Sequence, residues 1–248
     1  MNHVLSEIRD GIAIITLNDA PKRNVLSGAL CVALSEAVAN AGAAPDARAI
    51  IITGAAPAFC AGADLGDLKA ASQGAIGPIE AVYKSFMDVA MSPLPTVAAV
   101  NGPAVGAGFN LALACDMRVA SSEASFDTRF LKLGLHPGGG HAWMLLRAIG
   151  WAHAARLLLA GQPLDAPEAL RIGLVEAVVA PELLLDWTIS DLRTTVAASR
   201  ELVIRTKATM RLASRSDHES AYAHETAEQK WSLAQPGFVA AVDRMRKR

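Results

Sequence analysis

Four short apolar runs, each closed by Gly, Asn or Ser, set the tightest limit on how this chain folds: GIAIITL (Gly11 to Leu17), RAIIITG (Arg48 to Gly54), PTVAAVNG (Pro95 to Gly102) and DMRVASS (Asp116 to Ser122). Runs that are apolar at nearly every position, rather than at alternate ones, belong to strands buried on both faces, as in a parallel sheet covered by helices. The segment after the first run supplies such a helix. Ser27 is its expected N-cap, Leu30, Leu34, Ala37, Val38 and Ala41 form one face, and Gly42 and Pro45 stop it. Strand, helix and strand in succession make a parallel crossover. After GLVEAVV (Gly173 to Val179), Pro181 opens a stretch in which Leu185, Ile189, Leu192 and Val196 mark a single helical stripe, and the rest reads as mostly helix. No linker or repeat separates the halves. The expectation is a mainly parallel α/β core over residues 1–180 and a helical C-terminal region over 181–248 that packs on something, another subunit being one candidate.

The balance of charge removes several function classes. With 23 basic and 24 acidic side chains the net charge is −1, so neither a nucleic-acid surface nor a polybasic membrane patch is expected. Cys31, Cys60 and Cys115 are an odd number without C-x-x-C spacing, in apolar surroundings, which is how buried free thiols occur. A cytoplasmic location is the expectation, since the N-terminal residues lack a basic segment followed by a long apolar one and no charge-free run approaches ~18 residues.

Two stretches, AFCAGADL (Ala58 to Leu65) and NGPAVGAGFNLALACD (Asn101 to Asp116), consist largely of side chains too small to react. Each follows an apolar run. Val105, Phe109, Ala112 and Leu113 suggest a helix starting near Ala104, which places Gly106, Ala107 and Gly108 in a first turn whose N–H groups lack intrahelical partners. If the two strands are neighbours, an N–H near Ala63 and one near Ala107 converge on one oxygen, forming an oxyanion hole. Tight packing is the commoner reason for small residues at such turns, and a lone G-x-G is weak. Two matched stretches are what point to a site.

PAFCAGADL, VNGPAVGAGFNLALACD, ASFDTRFLKLGLHPGGG and AARLLLAGQPLDAPEALRIGLVEAVV, in this order and spacing, resemble the enoyl-CoA hydratase/isomerase (crotonase) family over nearly the whole chain. The resemblance implies a core of repeated β-β-α turns with a helical C-terminal trimerisation region, assembled as a homotrimer or a hexamer built from two trimers. It implies an acyl-CoA thioester substrate, in fatty-acid or related metabolism, whose carbonyl is held by the backbone N–H groups of Ala63 and Ala107. Lys22, Arg23, Ala61, Asp64 and Leu65 would meet the coenzyme A moiety. No metal or redox cofactor is implied, because coenzyme A arrives on the substrate.

The chain departs from the family where protons move. The two positions at which the hydratases carry glutamates are Asn110 and Phe130, and the position at which some other members carry an acid is Gly138. An amide does not titrate usefully and a phenyl ring transfers nothing. Asp127, His136 and His141 are the nearby candidates to replace them, with Asn110 as a holder of water. Asp127 follows Phe126 directly and on an extended segment would project the opposite way from it, while the others have structural alternatives: a surface or hydrogen-bonded turn for the histidines, and a helix cap for Asp64. Arg205, Lys207 and Arg211 recur on one helix and are candidates to reach a neighbouring subunit's ligand. The leading reading is an acyl-CoA enzyme with nonstandard proton handling. The alternatives are a non-catalytic acyl-CoA carrier and a crotonase-family enzyme of another reaction type.

Overall fold

The computed structural model describes residues 2–246. Nine strands are present among the described residues: β1 (Val4–Arg9), β2 (Ile12–Leu17), β3 (Ala49–Gly54), β4 (Thr96–Val100), β5 (Ala104–Val105), β6 (Met117–Ser121), β7 (Ser125–Asp127), β8 (Leu164–Asp165) and β9 (Ala177–Val179). The helices are α1 (Gly28–Ala43), α2 (Leu65–Ala71), α3 (Gly77–Met91), α4 (Ala107–Ala114), α5 (His141–Ala160), α6 (Ala166–Arg171), α7 (Leu184–Asp191), α8 (Arg193–Ala197), α9 (Arg200–Ala213), α10 (His218–Leu233) and α11 (Pro236–Arg246).

All four apolar runs form strands of one six-stranded sheet, in the order β1-β2-β3-β4-β6-β9. It is parallel except for β1, which pairs antiparallel with β2. The continuous apolar character is explained by burial on both faces. Ala13, Ile15 and Leu17 of β2, with Ile50 and Ile52 of β3, turn into the larger core under α1, α3, α4 and α5. Their neighbours Ile12, Ile14, Ala49 and Ile51 turn the other way, against Leu184 and Leu192. Ser27 caps α1 through the Leu30 amide, and Leu30, Leu34, Ala37, Val38 and Ala41 are its buried face. Strand β1 is an exposed edge that the apolar pattern did not reveal, since only Val4 is even partly covered.

Three basic residues of α9 tie this helix to its own chain, which corrects the expectation that they reach a neighbour's ligand. Lys207 is buried and donates to the Leu94 carbonyl at 2.7 Å while pairing with Asp116 at 2.5 Å. Arg211 donates to the carbonyls of Ala90 and Ser92, and Arg205 pairs with Glu201 and Glu228 and stacks over Trp231. Asp116 also accepts from the backbone and hydroxyl of Thr96, joining the starts of β4 and β6.

Candidate active site

The two small-residue stretches lie side by side. The Cys60 amide donates to the Pro103 carbonyl at 3.1 Å and the Val105 amide to the Cys60 carbonyl at 3.0 Å, so the loop after β3 pairs with the loop after β4. On its other side the first loop meets the segment before α1, where Leu26 donates to the Gly62 carbonyl at 2.8 Å and Ala61 to the Arg23 carbonyl at 3.0 Å. Asn24 ties the loop down. Its Nδ2 reaches the carbonyls of Ala55 and Ala58, both at 2.8 Å, while its Oδ1 accepts from the Asp19 amide. Asn24 thus anchors the loop and sits buried.

Backbone contact at this distance dictates the small residues. A Cβ on Gly108 would overlap the Cys60 carbonyl oxygen and come within 2.8 Å of the Cys60 Cβ. Gly62, at φ 106°, occupies a left-handed conformation that other residues avoid, and its Cβ would stand 2.9 Å from the Val105 carbonyl oxygen. The two stretches serve packing and site at once.

The helix starts later than the sequence pattern suggests. Ala104 and Val105 form strand β5, Gly106 is the N-cap at φ 52°, and Ala107 is the first helical residue. The reason is that β5 pairs with β7, a tertiary contact that overrides the local periodicity. The Gly106 amide is consumed by the Asp127 carbonyl at 2.8 Å, whereas the Ala63 and Ala107 amides donate to no backbone acceptor among the described residues.

Ala63 and Ala107 both line a cavity of about 770 Å³. Its wall includes Lys22, Ala61, Asp64 and Leu65 near the start of α2, and Asn110, Phe130, His136 and Gly138 at another part. Leu68, Ile76, Ile79, Val82, Leu133 and Leu135 make much of the remainder apolar. Arg23 lies outside this wall, exposed at φ 54° beside Lys22. Asp64 Oδ1 caps α2 by accepting from the amides of Gly66 at 2.7 Å and Asp67 at 3.2 Å. His136 is exposed, with Nδ1 at 2.8 Å from the Pro137 carbonyl.

Two candidate acid/base residues are displaced from the wall. Asp127 is buried and engaged by Arg129, through its amide at 2.8 Å and its guanidinium at 2.9 Å, and by Lys132 at 3.5 Å. Asp127 is not among the residues that line the cavity, and these cations hold its carboxylate. His141 stands behind Asn110, at the start of α5, packed edge-on against Phe130 and Phe109 at ring separations of 4.9 and 5.3 Å. Its Nδ1 bonds Asn110 Oδ1, and Asn110 Nδ2 donates to the Gly138 carbonyl at 2.9 Å. Because an amide oxygen only accepts, Nδ1 carries the proton, and Nε2 keeps a lone pair that is buried without a partner. Burial lowers the His141 pKa from 6.5 to about 4, so the ring is neutral. This pairing across 31 residues is absent from any local motif.

The neutral ring has a consequence for acid stability. Between pH 6.5 and 4 the unfolded chain binds a proton here that the folded chain refuses, so stability falls as pH drops through that window and is unaffected by this group above it. At pH 5 the expected loss from His141 is about 2 kcal/mol, taking ~1.4 kcal/mol per pKa unit. Urea unfolding of His141→Gln at pH 5 and 7.5 checks it: the variant should show a smaller pH dependence than the parent by about that amount. An unchanged difference between the two pH values would mean that His141 is charged in the fold.

The three cysteines are buried and free, and burial pushes Cys60 and Cys115 up to about 12, leaving them as inert thiols. No helix among the described residues is long and apolar enough to cross a membrane.

Comparison with known proteins places this geometry. The family model described as enoyl-CoA hydratase/isomerase matches residues 7–235. A probable enoyl-CoA hydratase of Mycobacterium tuberculosis, EchA14, is 42% identical over 246 residues, covering 96% of this chain and 95% of that protein. Mouse mitochondrial methylglutaconyl-CoA hydratase is 40% identical over 177 residues, 71% of this chain and 56% of its own length. Among solved structures, an enoyl-CoA hydratase from Bacillus anthracis superposes with a TM-score of 0.93 at 28% identity, covering 99% of this chain and 96% of that one. A probable enoyl-CoA hydratase/isomerase from Mycobacterium abscessus does so at 0.90 and 32%, covering 100% and 97%. The repeated strand-and-helix core with its helical C-terminal region is the crotonase fold, and the chain belongs to the enoyl-CoA hydratase/isomerase family, whose enzymes act on acyl-CoA thioesters.

Proposed function

We propose that this chain binds a 2-enoyl or similar coenzyme A thioester with its carbonyl oxygen between the Ala63 and Ala107 amides, and moves a proton on the acyl group without a glutamate pair. The observation that carries the reading is that Ala63 and Ala107, whose amides are unclaimed by backbone acceptors, line one cavity of about 770 Å³ with a largely apolar wall. Donors aimed at the carbonyl stabilise the enolate that forms when a nucleophile adds or a proton leaves nearby, and the first turn of α4 adds its dipole. Lys22, Ala61, Asp64 and Leu65, on the α2 side of the cavity, are assigned to the coenzyme A moiety, with Arg23 beside them on the outer surface. Asn110, its amide held by His141 and Gly138, orients water or substrate. No metal or redox group takes part in this reading.

Assembly as a homotrimer or hexamer completes it. Helices α10 and α11 bury no residue within the chain, and Tyr222, Leu233, Phe238, Val239 and Met245 are exposed on them, apolar area suited to a subunit contact.

Incubating the protein with crotonyl-CoA and a longer 2-enoyl-CoA, and following loss of the conjugated enoyl absorbance beside a binding titration, tests the reading. Binding with turnover is the expected result. Asn110 and Phe130 favour one second reading, an acyl-CoA carrier, which binding without turnover of any thioester would support. Absence of binding would sink both.

A further inference from the structure

The geometry points to the Tyr83 hydroxyl as the proton-transferring group of this cavity, an inference that rests on the thioester reading above. Tyr83 lies on α3 and lines the cavity together with Ala107, Asn110 and Gly138. Its hydroxyl oxygen occupies the space in which a side chain at residue 138 would begin, since a Cβ on Gly138 would run into it. The Gly138 carbonyl receives Asn110 Nδ2, so the phenol and the amide both adjoin residue 138 of the wall. Asn110 follows Ala107 by three residues on α4, which sets this part of the wall next to the amide that polarises the carbonyl. The ring is braced by Phe86, fully buried one turn along, at a centroid separation of 5.9 Å and an angle of 52°.

Other ionisable groups on the wall are committed or remote. Asp64 caps α2, Arg129 is paired with Asp127, His136 faces solvent beside the Pro137 carbonyl, and Lys22 is exposed at the side assigned to coenzyme A. Tyr83, itself 38% exposed, is the remaining ionisable side chain on the wall, and its hydroxyl lies against Gly138.

With a 2-enoyl-CoA and water as co-reactant, the step balances. The water oxygen bonds to C3, and the C2–C3 π pair moves toward the carbonyl oxygen held by the two amides. C2 then takes the phenolic proton as the Tyr83 O–H bond breaks, and the phenolate takes a proton from the water now attached to C3. The product is the 3-hydroxyacyl thioester with tyrosine restored.

The test is Tyr83→Phe, which keeps the ring and its contact with Phe86, assayed for turnover of crotonyl-CoA and for binding of 3-hydroxybutyryl-CoA by titration. The proposal expects kcat to fall roughly a hundredfold or more with little change in affinity, the size typical of a lost general acid. Gly138→Ala, which leaves the phenol in place but pushes the hydroxyl aside, should lower kcat in the same direction. Wild-type kcat in Tyr83→Phe overturns the Tyr83 role alone, whereas a parent protein that binds the thioester without turning it over overturns that role together with the proton-moving part of the reading above and leaves only the thioester cradle. A parent that binds no thioester overturns the underlying reading as well.

Discussion

Ala107→Pro is expected to lower turnover of a coenzyme A thioester by about 10²- to 10³-fold, the usual cost of deleting one oxyanion donor. The substitution removes the N–H and little else. Ala107 is the first residue of α4, where proline is tolerated because that amide has no intrahelical acceptor in any case. The preceding residue is Gly106, which has no Cβ to meet the proline ring. Ala107→Gly, which keeps the donor, is the control and should remain far more active. Steady-state kinetics on both variants, with circular dichroism to verify the fold, decides the matter. If a folded proline variant turns over substrate like its parent, the carbonyl is held elsewhere.

The second large effect concerns stability. Gly108→Ala should destabilise the protein by roughly 3 kcal/mol or more, at or beyond the upper end of ordinary overpacking, because the added carbon meets backbone rather than a movable side chain. The obstacle is the Cys60 carbonyl, itself held by the Val105 amide at 3.0 Å. Relief requires α4 to move away from the loop after β3, which separates the Ala63 and Ala107 amides. A fall in urea midpoint accompanied by loss of thioester binding is therefore expected. A wild-type midpoint would show that the two loops do not approach each other as described.

What the sequence made legible follows from which forces are local. Uninterrupted apolar runs announced β2, β3, β4 and β6, and the Ser27 cap and stripe announced α1, because burial and capping are written into neighbouring residues. The juxtaposition of the small stretches was legible too, since only backbones that touch need such residues at matched places. The edge strand β1 was not, because an exposed strand carries no apolar signature. Nor were the strand at Ala104, which exists through its pairing with β7, the hidden place of His141 behind Asn110, or the cations that hold Asp127. Tyr83 and Gly138 are 55 positions apart in the chain and share a space that only the folded backbone defines. The His141, Ala104 and Tyr83 placements are contacts between distant segments, where spacing along the chain carries no information, while the Asp127 pairs with Arg129 and Lys132 are local in sequence yet depend on the turn geometry after β7.

The strand order β1-β2-β3-β4-β6-β9 never reverses direction. Right-handed crossovers in such an order all fall on one side of the sheet, which is why α1, α3 and α4 share the larger core. The opposite side, with Ile12, Ile14, Ala49, Ile51 and Val97, waits for Leu184 and Leu192 near the far end of the chain. A nascent chain emerging from the ribosome therefore carries a bare greasy sheet face until some 190 residues are made, and a chain cut at residue 180 would keep that face permanently, as a ready surface for aggregation.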